Sequence, residues 1–143
     1  MILQIDKRLR VDPWWEVSGC GVMAVFYFVN KFTNYPFDTE TILILGDAFK
    51  KHDLVTKEFY INNWEGLFNF FPSMEVIYTN RHETPDRLCR DGEFEILDWY
   101  NPTTKKRHFT AGNGHGYVTY DPMGQSRTVR EGFLRSKRIF QHV

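Results

Sequence analysis

Cys20 is the residue in this sequence best suited to nucleophilic chemistry. It lies between Gly19 and Gly21, directly before the strongly apolar run Val22 to Phe32. A helix beginning at Cys20 would place the thiol near unpaired backbone N–H groups and the positive end of the helix dipole, which favour the thiolate. The small neighbours would leave backbone donors, that of Gly21 among them, open to stabilise an oxyanion. The plainer alternative is a core residue, because cysteine is among the most buried residue types.

A general base for this thiol is predicted in the C-terminal half of the chain. The Asn113-Gly114 pair between two strand-like stretches indicates a two-residue hairpin turn. That turn would place His108 opposite Thr119 and make Asp121 a diagonal neighbour of His108 on the same face. A carboxylate that orients an imidazole is what a general base requires. The other face would pack on the core with Phe109, Ala111, Val118 and Tyr120.

The remaining thiol and imidazole groups fit other roles better. His115 falls at the tip of the predicted turn, too far from Asp121 to be oriented by it. Cys89 lies among charged residues with no helix start beside it, which favours a structural thiol. A metal site built from Cys20, Cys89, His108 and His115 is a weak alternative, because no pair has the close spacing of zinc ligands. We expect neither a metal nor another cofactor.

Three helices are predicted to come first in the chain. The first would begin at Cys20 and end before residues 34–36, and its nearly uniform apolar character indicates burial. A second would start after Asp38, which is a good N-cap, and carry an apolar stripe. A third would follow Asn63 and end at Pro72, because proline has no N–H to continue a helix.

A sheet is predicted to follow the helices. The segments 74–80, 93–100, 107–121 and 136–143 are short, rich in aromatic and branched residues, and separated by polar turns. Helices followed by antiparallel strands define an α+β fold class. A chain of 143 residues suits one domain spanning residues 1–143.

The composition argues against several classes of function. The 18 Lys and Arg residues balance 18 Asp and Glu residues, so the broad positive field needed for nucleic-acid or anionic-membrane binding is missing. The basic stretch TTKKRH, 103–108, is interpreted as a solvated turn. No apolar run approaches the ~20 residues of a membrane span, and charges near Asp6 argue against a signal peptide. We therefore expect a cytoplasmic protein with free thiols; its oligomeric state is left open.

Two motifs resemble the papain-like cysteine peptidases. SGCGVMAVFYFV resembles the Cys-Gly helix start of that superfamily, and HFTAGNGHGYVTYDPMG resembles its His strand, hairpin and Asp-Pro. The likeness is closer to the double-glycine leader (bacteriocin-processing) peptidases and to a small uncharacterised family related to them. It implies a papain-like fold in which Cys20 is the nucleophile, His108 the general base and acid, and Asp121 the residue that orients His108. It also implies a peptide or protein substrate, cleaved through an acyl-enzyme.

The chain departs from this resemblance just before the cysteine. The family usually carries a Gln a few residues upstream to complete the oxyanion hole, whereas residues 13–18 here read PWWEVS. The only upstream Gln is Gln4, which a loop would have to return to the site. Losing one oxyanion donor typically costs about 10²–10³ in rate. The alternative function is therefore a degenerate papain-like module that binds a peptide or protein without cleaving it.

Two tryptophans flank the predicted nucleophile. Trp14 and Trp15 precede Cys20 by five or six residues. They could line a groove for the substrate, because aromatic side chains often do so. The alternative is that they pack beneath the N-terminal segment.

Overall fold

The computed structural model describes the backbone of all 143 residues and every side chain except those of residues 79–82. In the described backbone, a short 3-10 turn at Lys7–Leu9 precedes the helices α1 Trp14–Ser18, α2 Cys20–Thr33, α3 Thr39–Lys51, α4 Trp64–Asn69 and α5 Arg127–Glu131. The strands are β1 Val76–Glu83, β2 Glu93–Asn101, β3 Lys106–Gly112, β4 Val118–Tyr120 and β5 Phe133–His142. The predicted α+β class is confirmed.

The strands form one antiparallel sheet in the order β1-β5-β2-β3-β4. β4 is short and pairs with Ala111 and Gly112 at the end of β3. The outer edge of β3 before Ala111 therefore lies beyond the reach of β4. The N-terminus of α2 approaches this edge, where the Phe109 N–H donates to the sulfur of Cys20.

Helix α2 is the centre of the core. The residues from Val22 to Phe26, together with Phe28 and Val29, are at most 1% exposed. The helix ends at Asn34, whose backbone is left-handed with φ 60°, a conformation that Asn tolerates better than most residues. The predicted burial is confirmed for the first three turns of the helix, whereas Lys31 and Phe32 in its last turn are exposed.

The N-caps of the next two helices are also confirmed. The Asp38 carboxylate accepts the Thr41 N–H at 2.8 Å at the start of α3. The Asn63 side chain accepts the Gly66 N–H at 2.8 Å at the start of α4. Each contact satisfies a donor that has no partner inside the helix.

Both faces of the sheet are buried, and they differ in character. Strand side chains alternate between faces. The face that packs against α2 and α4 carries the core residues Phe94, Ile96, Ala111 and Phe140. The opposite face carries Glu95, Leu97, Lys137 and Ile139, all 0% exposed. His108 pairs with Trp99 and belongs to that second face. Helix α5 packs against β2 and β3.

The β3–β4 hairpin differs from its prediction. Gly112 pairs with Val118 and Ala111 with Tyr120, so residues 113–117 form the connection. The predicted two-residue turn was therefore wrong. One extra residue, Thr119, bulges from β4 between these two pairs.

A buried carboxylate accounts for the longer loop. Glu95 Oε2 accepts the N–H of Gly114 at 3.0 Å and that of Gly116 at 2.8 Å. Both glycines have positive φ, 92° and 84°, which glycine adopts at little steric cost. A local turn signal could not anticipate a carboxylate contributed by another strand.

His108 and Asp121 still lie on one face of the hairpin, as predicted, in spite of this change of register. The predicted register places Gly116 opposite Ala111, and the structure places Tyr120 there, four residues further on. Because side chains alternate with period two, an even shift keeps each one on its predicted face. Val118 lies beyond the bulge, where the shift is odd, and it is 36% exposed. Its predicted place in the core was wrong.

Some elements were not anticipated from the sequence. The short helices α1 and α5 were missed, and β5 begins at Phe133, three residues before the predicted start. Strand β1 extends to Glu83 rather than ending at residue 80. Within the described residues, no helix is long and apolar enough to cross a membrane.

Candidate active site

Cys20 occupies the first position of α2, as predicted, and is partly exposed. Its Sγ accepts the backbone N–H of Phe109 at 3.5 Å, and the N–H of Gly21 is also directed at the sulfur. The first N–H groups of a helix have no acceptor within that helix. The thiol is thus surrounded by backbone donors at the edge of the sheet, which favours its anionic form.

His108 and Asp121 form a buried pair next to this thiol. His108 Nε2 lies 2.7 Å from Asp121 Oδ1, and the two side chains are only 7% and 6% exposed. The loop after β4 holds the carboxylate, because Oδ1 accepts the Met123 N–H at 2.9 Å and Oδ2 accepts the Ser126 N–H at 3.0 Å. His108 also lies near enough to Cys20 for the two groups to shift each other's pKa. Since Nε2 is directed at Asp121, Nδ1 is the ring nitrogen available to the thiol.

These contacts change the proton affinities of all three groups. Burial raises the pKa of the Cys20 thiol, but the hydrogen bond and charge of His108, with the N–H groups of Phe109 and Gly21, lower it below its usual value. Burial favours neutral His108, yet its bonds to Asp121 and Cys20 raise its pKa to about 9. Burial also opposes the Asp121 charge, but His108 and backbone donors lower that pKa to about 2. The site therefore favours thiolate, imidazolium and carboxylate together.

Asp121 should make the stability of the fold depend on acid pH. Its pKa of about 2 lies below the ordinary 3.8, so its ionised form stabilises the fold above about pH 4, and this effect disappears as pH falls through 2. Asp121→Asn should lower the free energy of unfolding by roughly 1–3 kcal/mol at pH 5. At pH 2 the loss should be much smaller. Urea denaturation at both pH values, with the exposed Asp47→Asn as control, measures this; equal losses would contradict it.

Gln4 returns to the neighbourhood of the site. It is 2% exposed, and its side-chain Nε2 donates to Trp15 O and Glu16 O, both at 3.1 Å. Its backbone N–H donates to Pro122 O at 2.9 Å. Gln4 therefore links helix α1 to the loop that follows Asp121. Both amide protons are engaged by carbonyls, so in this arrangement Gln4 holds the site together and is not directed at a substrate oxygen.

The two tryptophans separate into different roles. Trp15 is 1% exposed and packs against Phe59, with ring centroids 4.0 Å apart. A substrate cannot reach it, and the predicted groove role of Trp15 is corrected to core packing. Trp14 is 36% exposed on the same short helix. Of the pair, Trp14 alone keeps a side chain available to a ligand.

Gly21 is needed for close packing and not for an uncovered backbone. The residue is buried, and a Cβ on it would lie 2.7 Å from Ile61 Cδ1 and 3.2 Å from Trp64 Cη2. Its N–H is directed at the sulfur of Cys20. The expectation that Gly21 presents an open oxyanion donor is therefore corrected: the glycine lets the helix approach α4 and β3 closely.

The second thiol has the opposite environment. Cys89 Sγ lies 3.8 Å from Glu95 Oε1, and burial together with the charges of Glu95 and Glu93 raises the pKa of Cys89 to about 12. It lines a cavity of about 410 Å³ with Gly112, at the end of β3 remote from Cys20. His115 is exposed in the loop, as predicted. Among the described side chains, no three His, Cys, Asp or Glu residues are grouped to hold a metal ion.

Two contributors to the site were not singled out from the sequence. The Phe109 N–H reaches the thiol because α2 lies at the open edge of β3, which no local pattern indicates. Ser126 caps α5 through the Val129 N–H at 3.2 Å while its own N–H holds Asp121. A serine before a helical stretch is a recognisable N-cap signal, and it could have revealed both α5 and this support.

Comparison with known proteins identifies a family but no activity. No curated protein and no solved structure matches the chain. One family model covers residues 1–142, and its description is "Protein of unknown function, DUF261". The chain is therefore a member of the DUF261 family.

Proposed function

We propose that the protein is a papain-like cysteine hydrolase that cleaves a peptide or amide bond through an acyl-enzyme. The observation that supports this most is the pairing of His108 with Asp121 at 2.7 Å beside Cys20, with a lowered thiol pKa and an imidazole pKa raised to about 9. A thiolate paired with an imidazolium is an activated nucleophile beside its own proton donor. Both cysteines are free, and we retain the cytoplasm as the proposed location because it keeps thiols reduced.

In the proposed reaction, the Cys20 thiolate attacks the carbonyl carbon of the substrate and forms a tetrahedral oxyanion. His108 donates its proton to the departing amine, and the C–N bond breaks to leave a thioester on Cys20. Neutral His108 then takes a proton from water, which attacks the thioester; the acid leaves, and the Cys20 thiolate and the His108 imidazolium are restored. Asp121 holds the ring orientation throughout and stabilises its charged form, as the third member of such triads does.

A second function has its own support in the geometry of Gln4. Oxyanion stabilisation needs donors aimed at the developing charge, and both N–H groups of the Gln4 amide are already donated to Trp15 O and Glu16 O. A site in which the Gln4 amide is not directed at the substrate oxygen is better suited to binding a peptide than to cleaving it. The alternative proposal is a degenerate module that binds a peptide or protein without cleaving it.

One experiment separates these two functions. The wild-type protein, Cys20→Ala and Cys89→Ala would each be incubated with a peptide library made from a proteome digest, and new termini would be identified by mass spectrometry. We expect cleavage by the wild type and by Cys89→Ala, and a loss of at least about 10³-fold in Cys20→Ala, because removal of a nucleophile leaves only residual catalysis. Equal cleavage by Cys20→Ala would refute the hydrolase. Peptides retained by the wild type without new termini would establish the binding module.

A further inference from the structure

Three arginines converge on one buried carboxylate, that of Asp98, which pairs with Phe109 across β2 and β3. Arg107 Nη2, Arg135 Nη2 and Arg138 Nη1 lie 3.3, 3.1 and 3.6 Å from Asp98 Oδ2. Asp98 is 1% exposed, whereas the side chains of Arg107 and Arg135 are 49% and 39% exposed. We call these three arginines the arginine cluster; they come from β3 and β5 and meet on the helix-facing side of the sheet.

The arginine cluster borders the nucleophile through one aromatic ring. The guanidinium carbons of Arg107 and Arg138 lie 5.6 and 5.5 Å from the ring centroid of Phe109. The backbone N–H of Phe109 donates to the sulfur of Cys20, and its ring lies 3.4 Å from where a Cβ on Gly21 would be. A molecule bound to the exposed arginines would therefore extend past Phe109 towards the thiol.

The cluster has more charge and more donors than Asp98 can satisfy. Three guanidinium groups face one carboxylate, and Asp98 is the only carboxylate within 4 Å of them among the described side chains. All of these contacts fall on Oδ2, while Oδ1 has no partner among the described groups. Each guanidinium carries five N–H donors in a fork that suits a second carboxylate. Burial and the neighbouring charges of Arg107 and Arg135 also lower the pKa of Arg138, although Tyr78 and Asp98 oppose this.

We propose that Arg107 and Arg135 bind a carboxylate of the substrate, so that the preferred peptide carries an acidic residue next to the bond that Cys20 attacks. Arg138 is only 7% exposed and contacts the same carboxylate, so it contributes positive charge to this site without direct access to a ligand. The inference deepens the proposed hydrolase and rests on it. A carboxylate suits the site because Arg binds it bidentately through paired N–H groups.

Alkylation of Cys20 by a charged and a neutral reagent tests the inference without a known substrate. Iodoacetate and iodoacetamide differ mainly in charge. The rate with iodoacetate divided by the rate with iodoacetamide therefore reports the electrostatic potential that an anion meets at the thiol. Removal of one nearby positive charge should lower this ratio about threefold in Arg107→Gln and in Arg135→Gln, and roughly tenfold in the double variant. Arg90→Gln, an exposed arginine before the far end of β2, should leave the ratio unchanged. An unchanged ratio in the double variant would overturn the proposal.

Direct binding separates failure of this inference from failure of the hydrolase. N-acetylglutamate would be titrated into the protein while the Phe109 amide is followed by NMR, with N-acetylglutamine as the uncharged match and inorganic phosphate as a second anion. We expect saturable shifts with N-acetylglutamate that are lost in the double variant. Shifts with phosphate alone would overturn the assignment of a carboxylate. If Cys20 resists both alkylating reagents but N-acetylglutamate still binds, the hydrolase fails and the anion site remains.

Discussion

Iodoacetamide should alkylate Cys20 of the folded protein at pH 6 roughly 10²-fold faster than it alkylates an ordinary exposed thiol. The pKa of Cys20 is lowered by His108 and by backbone N–H groups, in spite of burial. An ordinary thiol near pKa 8.5 is almost wholly protonated at pH 6, and only the thiolate reacts. Since the pKa of His108 is about 9, the rate should stay nearly constant from pH 6 to pH 8. Mass spectrometry of separate peptides would give the rate for each cysteine.

Two internal comparisons make this result specific. Cys89, whose pKa is raised to about 12, should remain unmodified in the same samples. His108→Ala should slow Cys20 at pH 6 by about 10²-fold and should make its rate rise steeply with pH, because the neutralising charge is gone. His108→Gln, which keeps a polar side chain, guards against misfolding. A Cys20 that reacts only after the protein unfolds would identify it as a core residue and remove the basis of the hydrolase.

Lys137→Met should lower the free energy of unfolding by about 3–5 kcal/mol, because it leaves a buried charge without its partner. Lys137 Nζ lies 2.9 Å from Glu95 Oε1, and both side chains are 0% exposed. Lys137 also donates to Arg87 O at 2.9 Å. Urea denaturation would measure the change, with the exposed Lys51→Met as the matched control.

A double variant shows whether the loss of stability in Lys137→Met arises because Glu95 is left without its partner. Glu95→Gln with Lys137→Met removes both charges, and we expect it to be more stable than Lys137→Met alone, since no uncompensated ion remains. The pair supports the hairpin loop through Gly114 and Gly116, at the end of β3 remote from Cys20. Folded Lys137→Met should therefore keep the alkylation rate of Cys20. A single variant within 1 kcal/mol of wild type would contradict this account.

Much of the helical layer follows from contacts that are local in the sequence. Asp38 and Asn63 cap their helices through N–H groups three residues away, and such signals can be read without knowing the rest of the fold. The apolar run after Cys20 requires a buried helix for the same reason. The position of Cys20 at its start is also a local property.

The faces of the strands were similarly predictable, although their pairing was not. His108 and Asp121 lie on one face because side chains alternate with period two, and an even shift of register leaves that alternation intact. The odd shift at Val118 reversed its face. The pairing itself depends on Glu95, which comes from β2 and binds the loop from outside the hairpin.

Contacts between distant parts of the chain account for what could not be read from the sequence. Trp14 and Trp15 are adjacent and identical, yet Phe59 encloses only the second of them. Gln4 is held against α1 and Pro122 by hydrogen bonds to backbone carbonyls, and nothing in the sequence around Gln4 indicates these partners.

The sequence of this chain thus determines the helices α2, α3 and α4, the alternation of side chains along the strands, and the three groups of the candidate site. It does not contain the distances between those groups. Cys20 contacts β3 because β4 stops short and leaves the Phe109 N–H at an open edge. Arg107 and Arg135 meet at Asp98 because β3 and β5 both pair with β2. Such proximity depends on how the strands are ordered in the sheet, a property of the whole chain that no local segment specifies.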